Sequence, residues 1–450
     1  MTVASHAAQS FTGAILHTPD IPAGATQDRS GHVVAGDPAL LIRAADVDDV
    51  RHAVRLAARE RLSVVVRGAG TGLAGGAAAG AGALVLDVSG LNRIVELSAD
   101  DELAVVEPGV AATTLDAAAS EVGLRYAPDP ASAAISTIGG NIATNAGGLR
   151  CVKYGVTSDA VLGLSVVLAD GTLVHTGRRT AKGVAGLDLT SLFTGSEGTL
   201  GVIVSATVRL QPIPVRTVTI AAYFDEVETA AAASAAVLAA RVRPAMLELL
   251  DAGSLREAQD LLRVRGRDAG AFVVAQTDGF GADAEAAAVR ACFARFTSRV
   301  SVEEDPAAAE ALLAVRRAAL PALERHGRVL IEDIAVPRSR IARAVRRISA
   351  IARDHDSTIF TFGHAGDGNL HPIIVIPPDD DDAGARAQGA AAEIFATALE
   401  LGGTITGEHG VGLLKRDWLA RELGPDALRL QRTIRQAVDP GGLFNPGKVF

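Results

Sequence analysis

Two histidines bracket a glycine-rich turn in Gly363-His364-Ala365-Gly366-Asp367-Gly368-Asn369-Leu370-His371. The runs on either side, Ser357-Thr358-Ile359-Phe360-Thr361-Phe362 and Pro372-Ile373-Ile374-Val375-Ile376, are β-branched and apolar and read as strands. In one straight strand an offset of seven sends two side chains to opposite faces. With a Gly/Asp/Asn turn between them the imidazoles can converge, and converging imidazoles make a candidate metal site. A second stretch, Thr404-Ile405-Thr406-Gly407-Glu408-His409-Gly410-Val411-Gly412, sets a carboxylate beside an imidazole among glycines. Two histidines and one glutamate would supply three ligands and leave a position open, the arrangement of a catalytic metal; the remaining histidine could then move a proton. Neighbours on an extended segment point opposite ways, so the sequence does not say which of Glu408 and His409 faces the metal. Any one of these histidines alone reads as an ordinary hydrogen-bonded side chain. The pairing of two glycine-framed stretches is what carries the metal reading.

Chemistry of a different kind is suggested nearer the start. Ser63-Val64-Val65-Val66-Arg67 reads as a buried strand that runs into Gly68-Ala69-Gly70-Thr71-Gly72-Leu73-Ala74-Gly75-Gly76. Gly70, Gly72 and Gly75 fit GxGxxG, but a dinucleotide-binding loop of that type opens a helix, and here a glycine-interrupted run leads to another strand at 84–87. There is no GxxxxGK[ST] motif. What survives is a strand-to-loop turn whose bare backbone N–H groups can cradle a phosphate. Two further small-residue segments follow. Pro128-Asp129-Pro130-Ala131-Ser132 leads into Ser136-Thr137-Ile138-Gly139-Gly140-Asn141-Ile142-Ala143-Thr144-Asn145-Ala146-Gly147-Gly148, and later comes Thr194-Gly195-Ser196-Glu197-Gly198-Thr199-Leu200-Gly201-Val202-Ile203. Three places of close backbone approach in one half of the chain suggest a large, flat, phosphate-bearing ligand.

The elements that must hold these residues need more than one domain, since the chain has 450 residues. A formal charge of −9 argues against nucleic acid as the main partner. Cys151 and Cys292 are the only cysteines, which excludes a disulfide framework and an iron–sulfur centre and suits a reducing cytoplasm. No apolar run reaches the roughly 18–20 residues of a membrane span, and residues 1–10 lack the basic start and apolar core of an export signal. Membrane contact would then be peripheral, at the inner face, or through a partner. The first 35 or so residues are weakly patterned and read as a loose lead-in or a single helix. Residues 45–61 carry apolar positions at helical spacing. Beyond Gln211-Pro212, strand-like runs at 218–224, 245–250, 272–278 and 329–336 alternate with helical stretches at 226–240, 282–296, 306–319 and 339–353, an α+β pattern. The aspartate run at 379–382 reads as a solvated loop. Residues 413–450 read as helical, ending in a Pro/Gly-rich strand.

As an ordered set, segments 66–76, 128–148, 195–203, 362–371 and 407–412 with Phe444-Asn445-Pro446-Gly447-Lys448 resemble the flavin-linked D-2-hydroxy-acid dehydrogenases. That group includes the glycolate oxidase FAD subunit, D-lactate dehydrogenase and D-2-hydroxyglutarate dehydrogenase, within the vanillyl-alcohol-oxidase and p-cresol-methylhydroxylase superfamily. The resemblance spans about residues 35–450. It implies an α+β fold: a two-part FAD-binding domain of the p-cresol-methylhydroxylase type (35–214, after a lead-in at 1–34), a ferredoxin-like substrate cap carrying the metal hairpin (215–402), and a segment that returns to the FAD domain (403–450). It implies FAD contacts from Arg67, Gly68, Ala69, Gly70, Thr71 and Gly72 at the pyrophosphate, and from Asp129, Thr137, Gly140, Asn141, Asn145, Glu197, Gly201, Ile203 and Asn445 elsewhere. Covalent members carry a flavin-linked histidine in the glycine loop; this loop has none, so noncovalent FAD is expected. His364, His371 and Glu408 match the ligands of a divalent metal (zinc, manganese or iron). His409 matches the base that takes the hydroxyl proton while hydride moves from C2 to flavin N5. Arg316 matches an arginine that clamps the substrate carboxylate, with Arg317 its nearest competitor.

The expected reaction is oxidation of a small D-2-hydroxy acid to the 2-oxo acid, with electrons passing to a quinone, a cytochrome, an electron-transfer flavoprotein or an iron–sulfur subunit. A homodimer is compatible with this reading. Members that oxidise dicarboxylates tend to carry a polar residue soon after the second metal histidine and a lysine on the strand before the cap helix; here Pro372-Ile373 and Leu330-Ile331-Glu332-Asp333 stand there, which favours a glycolate- or lactate-like acid over 2-hydroxyglutarate. Three rivals remain at this point. A flavin-free zinc hydrolase does not explain the glycine segments, and a nucleotide-binding module does not explain the His/Glu set. A flavoenzyme without net redox chemistry, of the ether-lipid-synthase type, is separated by whether substrate bleaches the flavin.

Overall fold

A computed structural model describes residues 11–264, 266 and 268–450; the expectation about an export signal at 1–10 lies outside them. It divides into two units. The first holds the chain up to Gly147, Gly155–Ile213 and Glu408–Phe450; the second holds Gly148–Tyr154 and Pro214–Gly407. The sequence division after 402 therefore differs from the structural one, because Thr404 bridges Ala335 and stays with the second unit.

In the first unit the described part of the lead-in, from Phe11 on, is not a single helix. β1 (Ala14–His17) pairs antiparallel with β2 (Leu40–Arg43), covering what would otherwise be an open apolar sheet edge. α1 (Val47–Glu60) starts at Asp46, whose side chain accepts from the Asp49 N–H, and buries Val50, Val54 and Ala57. β3 (Ser63–Arg67) and β4 (Ala83–Asp87) are parallel neighbours, giving the order β1-β2-β4-β3. An antiparallel sheet follows. It contains β5 (Ile94–Ser98), β6 (Leu103–Val106), β7 (Val161–Val167), β8 (Leu173–Gly177) and β9 (Val202–Arg209) in the order β5-β6-β9-β7-β8. α2 (Ala112–Ser120) and α3 (Ile138–Thr144) close its core through Leu115, Ile138 and Ile142 against Leu164, Val166 and Ala206.

Residues 408–450 complete this unit. The helix Arg416–Val438 kinks where Gly424 takes φ 75° ahead of Pro425. The tail is not the strand expected: it makes a single bridge, Val64 to Phe444, with the Val64 N–H donating to Leu443 O and the Asn445 N–H to Val64 O. Left-handed Asn445 (φ 40°) and Gly447 (φ 75°), with Pro446 between them, stop a ladder from continuing.

The second unit alternates strands and helices. They are β10 (Thr217–Phe224), α4 (Val227–Ala239), β11 (Met246–Asp251), α5 (Ala252–Leu262), β12 (Ala271–Asp278), α6 (Ala282–Phe293), β13 (Val300–Glu303), α7 (Pro306–Leu323), β14 (Arg328–Ile331), β15 (Ile334–Ala335), α8 (Ile341–Asp354), β16 (Ile359–His364), β17 (Asn369–Ile376) and α9 (Ala383–Glu400). One sheet runs β13-β10-β12-β11-β16-β17-β14, with β15 also on β17. The single strand expected at 329–336 is two. Ile331 pairs Ile373, and the next residue on β17 is Pro372, which has no N–H to continue the ladder. The chain then turns Asp333 inward, where its carboxylate accepts from Asn369 Nδ2 (2.6 Å), Thr406 Oγ1 (2.7 Å) and the Gly407 N–H (2.8 Å). α5, β13 and α9 were not read from the sequence. Among the described residues no helix is long and apolar enough to cross a membrane.

Candidate functional site

In the first unit the three glycine segments and the tail meet. A Cβ on Gly68 would lie 2.4 Å from Thr137 Oγ1, so the first segment touches the second. A Cβ on Gly198 would lie 3.8 Å from Val66 Cβ and 3.0 Å from Asn445 Nδ2, which brings in the third segment and the tail. These glycines are required by packing within the protein. Gly70, with φ 71° and only 2.3 Å from Cβ to Arg67 Nη2, belongs with them. Gly72 and Gly76 do not: their nearest atoms would be Asp28 Oδ2 at 3.4 Å and Glu197 Oε2 at 3.8 Å. The chain leaves room there, a cradle that a side chain would fill. On the second segment, Asn141 Nδ2 and Ser136 Oγ are buried and have no hydrogen-bond partner among the described residues, and buried donors of this kind call for an acceptor. Open glycines on the first segment and orphaned donors on the second, which touches the first through Gly68 and Thr137, fit a flat, phosphate-bearing group such as FAD.

Other expected contacts are less free. The Arg67 guanidinium donates to Gln27 O (2.7 Å) and Gly24 O (2.8 Å). Ala69 is exposed and Thr71 and Asp129 half-buried in their loops. Thr137 caps α3, its Oγ1 accepting from the Gly140 N–H at 3.4 Å, and Asn145 ends that helix in the left-handed conformation with Oδ1 accepting from the Ser158 N–H. Gly201 is small because Val166 and Val167 lie against it, and the Ile203 side chain is core.

Glu197 is a strut. Its carboxylate accepts from the Val411 and Gly412 N–H groups, both at 2.8 Å, and its carbonyl accepts from Asn445 Nδ2 at 2.7 Å. Burial pushes its carboxyl above the usual range, against those two amides and Lys415 and Lys448. Burial likewise pushes Lys448 down to about 8, although Asp28 and Glu197 oppose it; its Nζ donates to Gly76 O at 2.8 Å. Glu197→Ala should cost the flavin-free protein about 1–3 kcal/mol by stranding two buried amides, read as a lower midpoint in urea unfolding.

Glu408 and His409 open the returning segment. Gly147 makes room for the Glu408 carboxylate, since a Cβ there would lie 2.4 Å from Oε2. His409 Nε2 lies 3.9 Å from Glu408 Oε1.

In the second unit the hairpin β16–β17 does bring the two histidines onto one face. Phe362 pairs His371 and His364 pairs Asn369, so His364, two residues beyond Phe362, lies diagonally from His371 on the same side. Their ring centroids are 5.2 Å apart and both side chains are buried. Glu248 on β11 pairs His364 directly across the strand, and its Oε1 lies 2.8 Å from His364 Nδ1. Glu248 Oε2 accepts from Arg316 Nε at 2.7 Å, and the Arg316 guanidinium sits 4.6 Å from the Phe362 ring centroid. Burial alone would push the Glu248 carboxyl up, but His364 and Arg316, facing it from two sides, hold it below the usual range. The competitor Arg317 is on the surface with Glu310. Glu248 was missed from sequence. A carboxylate inside the apolar run 246–250, at an inward position between Met246 and Leu250, is the signal that could have found it. Gly407, held by Asp333, is the last residue of this unit, and Glu408 follows it in the chain. Two buried imidazoles on one face, one of them backed by a carboxylate, suit a divalent cation.

Residues 213–449 match the family described as FAD linked oxidases, C-terminal domain, and residues 38–177 match the FAD binding domain. The chain is 41% identical to the glycolate oxidase subunit GlcD of Bacillus subtilis over 92% of this chain and 89% of that protein. It is 33% identical to the D-lactate dehydrogenase of Anaerostipes hadrus, again over 92% and 89%. In fold it is similar to p-cresol methylhydroxylase, with a TM-score of 0.77 at 16% identity, covering 95% of this chain and 91% of that one.

Proposed function

Since the chain belongs to the FAD-linked oxidases, we propose that it oxidises a small D-2-hydroxy acid of the glycolate or D-lactate kind to the 2-oxo acid and passes the electrons to an external acceptor. Its enzyme class is an FAD-linked oxidoreductase acting on CH–OH groups. The observation that carries the finer reading is the buried pair His364 and His371 on one sheet face, in a chain similar to a glycolate oxidase subunit and a D-lactate dehydrogenase. FAD, bound noncovalently, supplies the two-electron acceptor, and a divalent metal supplies a Lewis acid for the substrate's hydroxyl and carboxylate oxygens.

The chain's own residues do the rest. Backbone N–H groups around Gly72 and Gly76, with Asn141 and Ser136, hold the flavin's polar groups. His364, His371 and Glu408 hold the metal. Arg316, its Nε committed to Glu248, has the outer guanidinium nitrogens with which to meet the substrate carboxylate. His409 takes the hydroxyl proton. Cys151 and Cys292 are too few to hold an iron–sulfur cluster, so an acceptor of that kind would be supplied by another chain. The direct test is an anaerobic screen of D- and L-2-hydroxy acids followed by flavin bleaching. D-lactate should bleach the flavin much faster than L-lactate, since metal, base and flavin fix three of the four directions around C2. Equal rates with the two enantiomers, or no bleaching by any 2-hydroxy acid, would overturn this reading.

A further inference from the structure

A fully buried carboxylate, Glu248, stands between two donors that no sequence motif connects. Arg316 comes from α7 and His364 from β16, and Glu248 reaches them at 2.7 Å and 2.8 Å. A buried ion pair adds little to stability, because desolvating both charges consumes most of their attraction; apolar residues of similar volume commonly serve as well. The face around it is already apolar, with Met246, Leu250, Leu313, Phe362 and Ile373 in one cluster. A Leu–Met pair at 248 and 316 would continue that cluster. The carboxylate therefore needs another reason.

The geometry supplies one. Glu248 and His364 are directly opposed in antiparallel register, so the imidazole is presented edge-on to Oε1. A carboxylate can only accept, so His364 donates from Nδ1, and the lone pair is left on Nε2. The second oxygen is tied to Arg316 Nε, whose guanidinium is in turn stacked on Phe362, so the carboxylate cannot swing away. We infer that Glu248 is a positioning residue: held by Arg316, it fixes the tautomer and orientation of His364 so that Nε2 is offered to a divalent cation. The inference rests on His364 being a metal ligand, as proposed above.

The test uses the full-length protein and reads zinc affinity by competition with a chromophoric chelator, with flavin content and thermal unfolding as controls for folding. Glu248→Ala would strand a buried arginine and could fail to fold, so paired variants are used. Glu248→Leu with Arg316→Met removes both charges and leaves His364 without an acceptor; Glu248→Gln with Arg316→Met also removes both charges but keeps an amide oxygen for His364 Nδ1. The first should bind zinc about 10–100-fold more weakly than wild type, the usual cost of losing the carboxylate behind a metal-binding histidine. The second should recover most of that loss. Wild-type affinity in the Leu/Met variant would overturn the inference, as would equal loss in both, which would trace the effect to Arg316. His364→Ala separates this from the underlying reading. If His364→Ala keeps zinc at wild-type affinity, the metal reading falls and takes the inference with it; if it loses zinc while the Leu/Met variant keeps it, only the role of Glu248 falls.

Discussion

His409→Ala should slow flavin reduction by about 10²–10⁴-fold and leave metal and flavin content unchanged, whereas Glu408→Ala should lose the metal and with it both substrate affinity and rate. The two residues are adjacent, so the contrast cannot come from distance to a distant perturbation. Both side chains are largely buried, His409 at 12% exposure and Glu408 at 17%, and His409 Nε2 lies 3.9 Å from Glu408 Oε1. A base is needed only where the hydroxyl proton leaves, so its loss falls on the reductive rate. Most of the substrate affinity should survive, because on the proposed reading the metal ligands and Arg316, which would hold the carboxylate, are untouched. A ligand is needed for the Lewis acid and for the substrate chelate together, so its loss falls on both. Metal analysis with stopped-flow reduction by D-lactate reads the two apart. Metal loss in His409→Ala with retention in Glu408→Ala would exchange the roles. Wild-type metal content and wild-type reduction in both would remove this pair from the active site.

Gly72→Val should give folded but colourless protein. Gly72 has no left-handed φ, and the nearest atom to a Cβ placed there would be 3.4 Å away, so the polypeptide has room for one; on the proposed placement, what the side chain would displace is the flavin. Overfilling a fitted site costs about 1–3 kcal/mol, roughly 10- to 100-fold in flavin affinity. Gly70→Val is the useful contrast. There φ is 71° and Arg67 Nη2 would lie 2.3 Å from Cβ, so loss of flavin should come with loss of thermal stability. Circular dichroism, unfolding temperature and flavin absorbance on both variants check this. Full flavin occupancy in a well-folded Gly72→Val would move the cofactor away from this loop.

How much of this was legible in the sequence depended on range. The His364/His371 hairpin and the glycine segments could be read because their evidence is local: turn residues between β-branched runs, and small residues where backbone must come close. Helices α4, α6, α7 and α8 could be read from their Ala-, Glu- and Arg-rich runs, whereas α5 and α9 were not. β1 could not, since four weakly patterned residues become a strand only because β2 offers an edge. The break at Glu332-Asp333 depends on Pro372, a residue on a different strand. Glu248 meets His364 across 116 residues of sequence, a pairing set by register that no window of neighbouring residues contains. Arg316 is buried in place of Arg317 because it shares the inward face of α7 with Leu313 and Leu323.

The strut described in the first unit has a consequence for how the protein is made. Lys448 and Asn445 reach Gly76 O across 372 and 369 residues, and Glu197 joins Val411 and Gly412 across 214 and 215. A chain leaving the ribosome produces β1 to β3 and then the glycine loop, next the remaining strands of the first unit's two sheets, and then residues 214–407 of the second unit. Only after that does it produce the residues that close over the loop. Domains generally fold as they emerge, so the second unit can complete itself while the first stands unfinished. Flavin capture would then wait for residues 408–450, and nascent chains arrested before residue 408 should bind flavin more weakly than the finished enzyme.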